Sequence, residues 1–176
     1  MGIELPSRFK HTIISDGIRS ACLENPLKVA FKHGDKTRTY SELIQRMDAI
    51  AGIISSSDIP LKSNIAIVAS NSIEYMEIVL ASSQLGHPIA TINPKLTATE
   101  LVSICEDAEA KLLFVDEKAH SLLKGIEIKG IKRIIDTDNQ MEDLMSQTDC
   151  REEFLPVAET DTFTIPYTSG TTGKPK

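Results

Sequence analysis

The residues with the clearest chemical potential lie together in the string Tyr167-Thr168-Ser169-Gly170-Thr171-Thr172-Gly173-Lys174-Pro175-Lys176. An apolar run of β character, Phe163 to Tyr167, leads into it. Gly170 and Gly173 let the backbone turn tightly enough for successive N–H groups to converge on one anion. The hydroxyls of Thr168, Ser169, Thr171 and Thr172 add short donors, and Lys174 and Lys176 add positive charge. A polyphosphate needs these parts. The string is not a Walker A loop, which reads G-x-x-x-x-G-K-[ST]. Thr168 stands where the first glycine belongs, and Pro175 follows the lysine with no hydroxyl for a metal ion and a poor fit inside a helix. The reading is a phosphate cradle of another kind.

Other reactive residues offer less. Ser169 lies among glycines with no base near it in the sequence, and no G-x-S-x-G elbow occurs, so serine hydrolysis is set aside. His87 sits beside an expected strand and reads as structural. His11, His33 and His120 have no carboxylate or cysteine partner that the sequence places, so no acid–base dyad is assigned. Cys22, Cys105 and Cys150 lie far apart with no C-x-x-C spacing, which argues against zinc and fits a reducing cytosol. The net charge of −6 leaves no basic footprint for nucleic acid. From Asp136 to Asp161 nine carboxylates face one base, Arg151, and this stretch reads as a solvated surface connection. The sequence contains no long apolar segment and no cleavage signal, so the expectation is a cytoplasmic protein without a membrane span.

The elements that must hold the cradle follow from periodicity. A helix is expected from about Phe9 to Leu23, stopped at Asn25-Pro26. Val29 to Phe31 and Lys36 to Tyr40 flank Gly34-Asp35 as a hairpin. Thr39 and Glu42 have capping-box spacing before a helix burying Leu43, Ile44, Met47, Ile50, Ala51 and Ile54. Ile65 to Ala69 has the pattern of a strand buried on both faces. Asn71, with Glu74 three residues on, is the expected cap of a helix carrying Ile73, Met76, Val79, Leu80 and Ser83 on one side. Strands follow at Pro88–Ile92, Leu112–Val115, Lys132–Ile135 and Phe163–Tyr167, with helices opening at Thr97, Glu117 and around Met141. This alternation predicts an α/β fold: an open, mostly parallel sheet with helices on both faces, plus a short N-terminal β-hairpin. Ligands of such sheets lie beyond the carboxyl ends of the strands, where the loop after Tyr167 falls.

The loop resembles the signature loop of the adenylate-forming enzymes, the superfamily of acyl-CoA synthetases, luciferases and peptide-synthetase adenylation domains. Two further stretches share the likeness: the hairpin with Thr39-Tyr40-Ser41-Glu42-Leu43, and Leu85 to Pro94 with Glu100-Leu101 and Leu112 to Asp116. The resemblance runs from about Val29 to Lys176. It implies that Thr168, Ser169, Gly170, Thr171, Thr172, Gly173, Lys174 and Lys176 hold the pyrophosphate end of ATP. It implies ATP, magnesium and CoA as cofactors of a longer enzyme, which joins a carboxylic acid to AMP and passes the acyl group to CoA or a carrier thiol. The fatty-acid branch often reads Asn-Pro where this chain has Asn93-Pro94, which favours an acyl-CoA synthetase. The family's later residues are not in this sequence: an aromatic-Gly-x-Thr-Glu segment serving magnesium, a ribose-binding aspartate, a hinge and a C-terminal lysine. The expectation is therefore that residues 1–176 form an N-terminal subdomain cut within its phosphate loop, inactive alone and prone to self-association through the surface its missing part would cover. The alternative is a natural non-catalytic module that binds a partner or an acyl chain; an ordinary P-loop NTPase is a weaker third.

Overall fold

The computed structural model describes residues 13–148 and 156–167. The first helix, α1 (Ile14–Glu24), ends at the Asn25 cap, as the periodicity predicts; the expected start at Phe9 lies outside the described residues. The hairpin β1 (Val29–His33) and β2 (Lys36–Thr39) is antiparallel, with Gly34 taking a φ of +59° at the turn. Thr39 then caps α2 (Tyr40–Ser55) in a full capping box. Its hydroxyl accepts from the Glu42 N–H, and the Glu42 carboxylate accepts from the Thr39 N–H at 2.8 Å. A second box, Thr97 with Glu100, opens α4 (Ala98–Asp107) in the same way. The T-x-x-E spacing alone identifies both.

The remaining elements alternate: β3 (Ile65–Val68), α3 (Ile73–Gln84), β4 (Ile89–Ile92), α4, β5 (Leu112–Val115), α5 (Glu117–Leu123), β6 (Arg133–Asp136), α6 (Met141–Ser146) and β7 (Thr164–Pro166). They form a five-stranded parallel sheet in the order β6-β5-β3-β4-β7. Ile65, Ile67, Ile89, Leu112 and Phe114 face one side, packed under α2, α3 and α6. Ala66, Val68, Ala90, Leu113 and Val115 face the other, under α4 and α5. Side chains that are apolar on both faces leave β3 and β5 wholly buried, which is why they read as unbroken apolar runs. The α/β fold with helices on both faces and a separate hairpin is as expected. No helix among the described residues is long and apolar enough to cross a membrane.

The first half of α3 departs from expectation. The cap is Ser72, whose hydroxyl accepts from the Tyr75 N–H at 3.0 Å, and not Asn71. Serine and asparagine cap about equally well, so tertiary packing decides, and it buries Ile73 in the first turn. Glu74 makes no capping box; it pairs with Lys36 and Arg38 of the hairpin. Met76, expected on the buried side, is 37% exposed, whereas Glu77 is fully buried. The reason is that α3 is covered by both the sheet and α2, so one stripe does not describe it. Glu77 accepts from Arg38 Nε at 2.8 Å and Arg46 Nε at 2.5 Å, and Arg46 forks onto Glu142 of α6 at 2.8 and 3.1 Å. Burial alone would lower the Arg46 guanidinium, but its bonds to Glu142 and Glu77 outweigh it and raise the group.

The acidic stretch is likewise more than a solvated connection. Glu142 pairs with Arg46, Asp161 pairs with Lys62 at 2.8 Å, and Asp136 is buried. Its members at positions 149, 152 and 153 lie outside the described residues.

Candidate functional site

The connections leaving β3 and β4 turn to opposite faces of the sheet, α3 to the first and α4 to the second. Such a divergence opens a crevice between neighbouring strand ends. A cleft of about 440 Å³ lies there. Ala69, Ser70 and Asn71 line it from the end of β3, and Thr91 to Lys95 line it from the end of β4. Tyr75 reaches in from α3, and Tyr167 closes the side beyond β7. Lys95 is the one charged residue among these lining residues.

Hydrogen bonds fix each wall. The Ser70 N–H and hydroxyl both donate to Asp116 Oδ2, at 3.0 and 3.3 Å, while Asp116 Oδ1 caps α5 by accepting from the Ala119 N–H at 2.8 Å. One carboxylate thus ties the exit of β3 to the start of α5. Asn93 Oδ1 accepts from the Lys95 N–H at 2.9 Å, shaping the Asn93-Pro94 turn. Burial raises the Tyr75 phenol above its ordinary value, against the pull of its hydrogen bond with Thr91. Tyr167 leaves β7 with its phenol donating to Asp107 Oδ2 at 2.7 Å. Burial first, then the Asp107 bond and charge, push that phenol well above its ordinary range. The cleft is therefore neutral and hydrogen-bonding, with one cation at its wall. A polar ligand bearing an anionic group suits such a lining.

The expected phosphate-binding residues, Thr168, Ser169, Gly170, Thr171, Thr172, Gly173, Lys174 and Lys176, lie outside the described residues. They follow directly on Tyr167 in the sequence, and Tyr167 itself lines this cleft. Sequence names Asn71 only as a cap and Asn93 only as a family feature, and gives Ser70 and Lys95 no role; the structure places all four in the walls of the cleft. The signal available was their place just after two apolar strands, in the Ser-Asn and Asn-Pro turns.

His87 is 4% exposed, with Nδ1 2.7 Å from the Ser63 carbonyl, and burial lowers it. A buried ring satisfied by backbone is structural, as expected. His120 corrects the sequence reading. Its Nδ1 lies 2.8 Å from Asp136 Oδ2, a pairing across α5 and the end of β6 that no short spacing announces. Asp136 also accepts from the N–H groups of Asp138 and Asn139 and from Asn139 Nδ2. Burial pushes its carboxyl up, but these bonds win and hold it below the ordinary value of 3.8. Glu42, Glu74, Glu100, Glu142 and Asp161 are also lowered. A lowered carboxylate stabilises the fold above its unfolded pKa, and that stability is lost as pH falls through the folded value. The thermal midpoint should therefore ease as pH falls through about 6.5, where His87 stays neutral only in the fold, and drop steeply below about pH 4, where the carboxylates protonate. Asp136→Asn should lower the plateau and shallow the drop; an unchanged acid limb would show that this carboxylate is not held by its partners.

No group of three His, Cys, Asp or Glu side chains able to hold a metal ion occurs among the described residues.

The model of the AMP-binding enzyme family matches residues 18–176. A 2-succinylbenzoate–CoA ligase of Geobacillus kaustophilus is 26% identical over 169 residues, which are 94% of this chain and 32% of that protein. A polyketide synthase-nonribosomal peptide synthetase of Aspergillus flavipes is 28% identical over 149 residues, 85% of this chain and 4% of that protein. The chain thus spans about a third of the ligase and a small part of the synthetase. Among solved structures, a Mycobacterium tuberculosis fatty acyl CoA synthetase superposes with a TM-score of 0.83 at 20% identity, covering 97% of this chain and 34% of that one. At that identity the likeness speaks for the fold.

Proposed function

The chain belongs to the AMP-binding enzyme family, and from that premise we propose that it is the N-terminal part of an ATP-dependent acid–thiol ligase. The observation that carries the reading is the match over residues 18–176, which takes in the Tyr167–Lys176 string behind β7. In this reading the complete enzyme activates a carboxylic acid, most simply a fatty acid, as acyl-AMP and passes it to CoA. Thr168, Ser169, Thr171 and Thr172 donate hydrogen bonds to the pyrophosphate end of ATP. Gly170 and Gly173 allow the backbone to approach, and Lys174 and Lys176 supply charge. Their work is electrostatic, holding the leaving pyrophosphate while negative charge builds on it. The reading places the protein in the cytoplasm, with the remainder of the enzyme as its first partner. The isolated 176 residues would self-associate through the surface that remainder covers.

The test compares two proteins. The complete gene product, with ATP, magnesium and a panel of fatty and aromatic acids, should release pyrophosphate in an acid-dependent way. Residues 1–176 alone should stay at background. Turnover by the isolated 176 residues that survives repurification would sink the claim that later segments are required. No acid-dependent release by the complete protein would favour a binding module on the same fold.

A further inference from the structure

We propose that Tyr167 and Asp107 form a positioning pair that sets where the chain leaves β7 at the rim of the cleft. The inference takes its ligand, the polyphosphate of ATP, from the ligase reading above.

The backbone ladder that fixes β7 is short. It pairs Thr164, Ile165 and Pro166 with Ile89, Ala90 and Thr91, and its last pair contains a proline. Proline brings no N–H to a ladder, so the hold weakens just where the chain reaches the cleft. Tyr167 comes next. Its ring packs into the apolar layer under α4, with Ile165 beside it. Its hydroxyl crosses to Asp107, the last residue of α4, at 2.7 Å. A phenol donating to a carboxylate makes a charge-assisted bond, stronger and more directional than a neutral one.

The helix that receives this bond is itself held at both ends of its length. The Thr97–Glu100 box fixes the first turn of α4 just after Asn93, Pro94 and Lys95, which form the β4 wall of the cleft. Asp107 at the other end anchors Tyr167. One rigid helix therefore references two walls of the cleft to each other. Tyr167 needs no contact with substrate for this, since it lines the cleft and fixes where β7 ends, one residue before the Thr168–Lys176 string begins in the sequence.

The experiment uses the complete gene product with Tyr167→Phe, Asp107→Asn and the double variant. Losing a bond to a charged group should raise KM for ATP about tenfold in either single variant. KM for the acid should stay within about twofold, and the double variant should be no worse than a single one, as for two partners in one interaction. A merely structural role predicts something else: lower thermal midpoints with both KM values drifting together. Either that result or independent, multiplying losses in the double variant would overturn the proposal. Calorimetric titration with ATP reads the same loss without turnover. A wild-type protein that binds ATP but makes no adenylate would overturn the ligase reading while the pair remains measurable. One that binds no ATP would overturn both.

Discussion

Glu77→Ala should cost about 3–5 kcal/mol of stability, the range for removing one member of a buried ion pair. Glu77 has no exposed side-chain surface, and the Arg38 and Arg46 side chains that meet on it are only 15% and 16% exposed. Its removal leaves two guanidinium groups facing each other with little water to screen them. Arg46 would keep Glu142, but that carboxylate is 73% exposed and offsets little. For a domain of this size the loss corresponds to a fall in thermal midpoint of roughly 10 °C. Glu77→Gln should recover part of it by keeping the shape and one acceptor. Replacing Arg38, Glu77 and Arg46 together by Met, Leu and Met should come near the wild type, because it removes the desolvation cost along with the attraction. A Glu77→Ala protein within about 1 kcal/mol of wild type would mean the network is not formed as described.

The second large effect concerns chemistry. In the complete enzyme, Lys174→Ala and separately Thr171→Val should slow acyl-adenylate formation about a hundredfold or more. A donor aimed at charge that develops in the transition state contributes about 2.7–4 kcal/mol. The later transfer to the thiol should change far less, since pyrophosphate has left by then. Rapid-quench measurement of the two half-reactions separates them. A change below about threefold in adenylation for both variants would take the loop out of the chemistry.

Much of this fold was legible because local signals and tertiary demands agree. The two T-x-x-E boxes at Thr39 and Thr97 announce helices that form where they should. The runs Ile65–Val68 and Leu112–Val115 have only one comfortable place, the middle of a sheet covered on both faces. The failures share a cause. A single apolar stripe on α3 puts Met76 inside and has no place for a buried Glu77; the partners that make burial of Glu77 tolerable sit 39 and 31 residues away. His120, on α5, has no partner visible in the sequence because Asp136 comes from the next strand, β6, sixteen residues on. The Asn71 cap was wrong because two competent capping residues stand side by side and propensity does not choose between them. In the candidate site, composition marks the phosphate string after Tyr167, whereas the walls at Ser70 and Lys95 emerge only when the strand order brings their loops together. Long-range pairing carries no short-range signature.

The strand order also bears on how such a site can be inherited and altered. The cleft takes its walls from the ends of β3, β4 and β7, which lie far apart in the chain but side by side in the sheet. Residues 69–71 and 93–95 lie outside the strands, so insertions or exchanges there need not disturb Ile65–Val68 or Ile89–Ile92 beneath them. Descendants of one ancestor can thus diversify one wall at a time and keep the same foundations. The freedom is unequal. Lengthening the turn at 93–95 shifts the start of α4, and with it the Asp107 that holds Tyr167, whereas the turn at 69–71 is tied sideways to Asp116. Lineages that change the Asn93-Pro94 turn must therefore re-establish the exit of β7 as well, and those that change Ser70-Asn71 carry no such obligation.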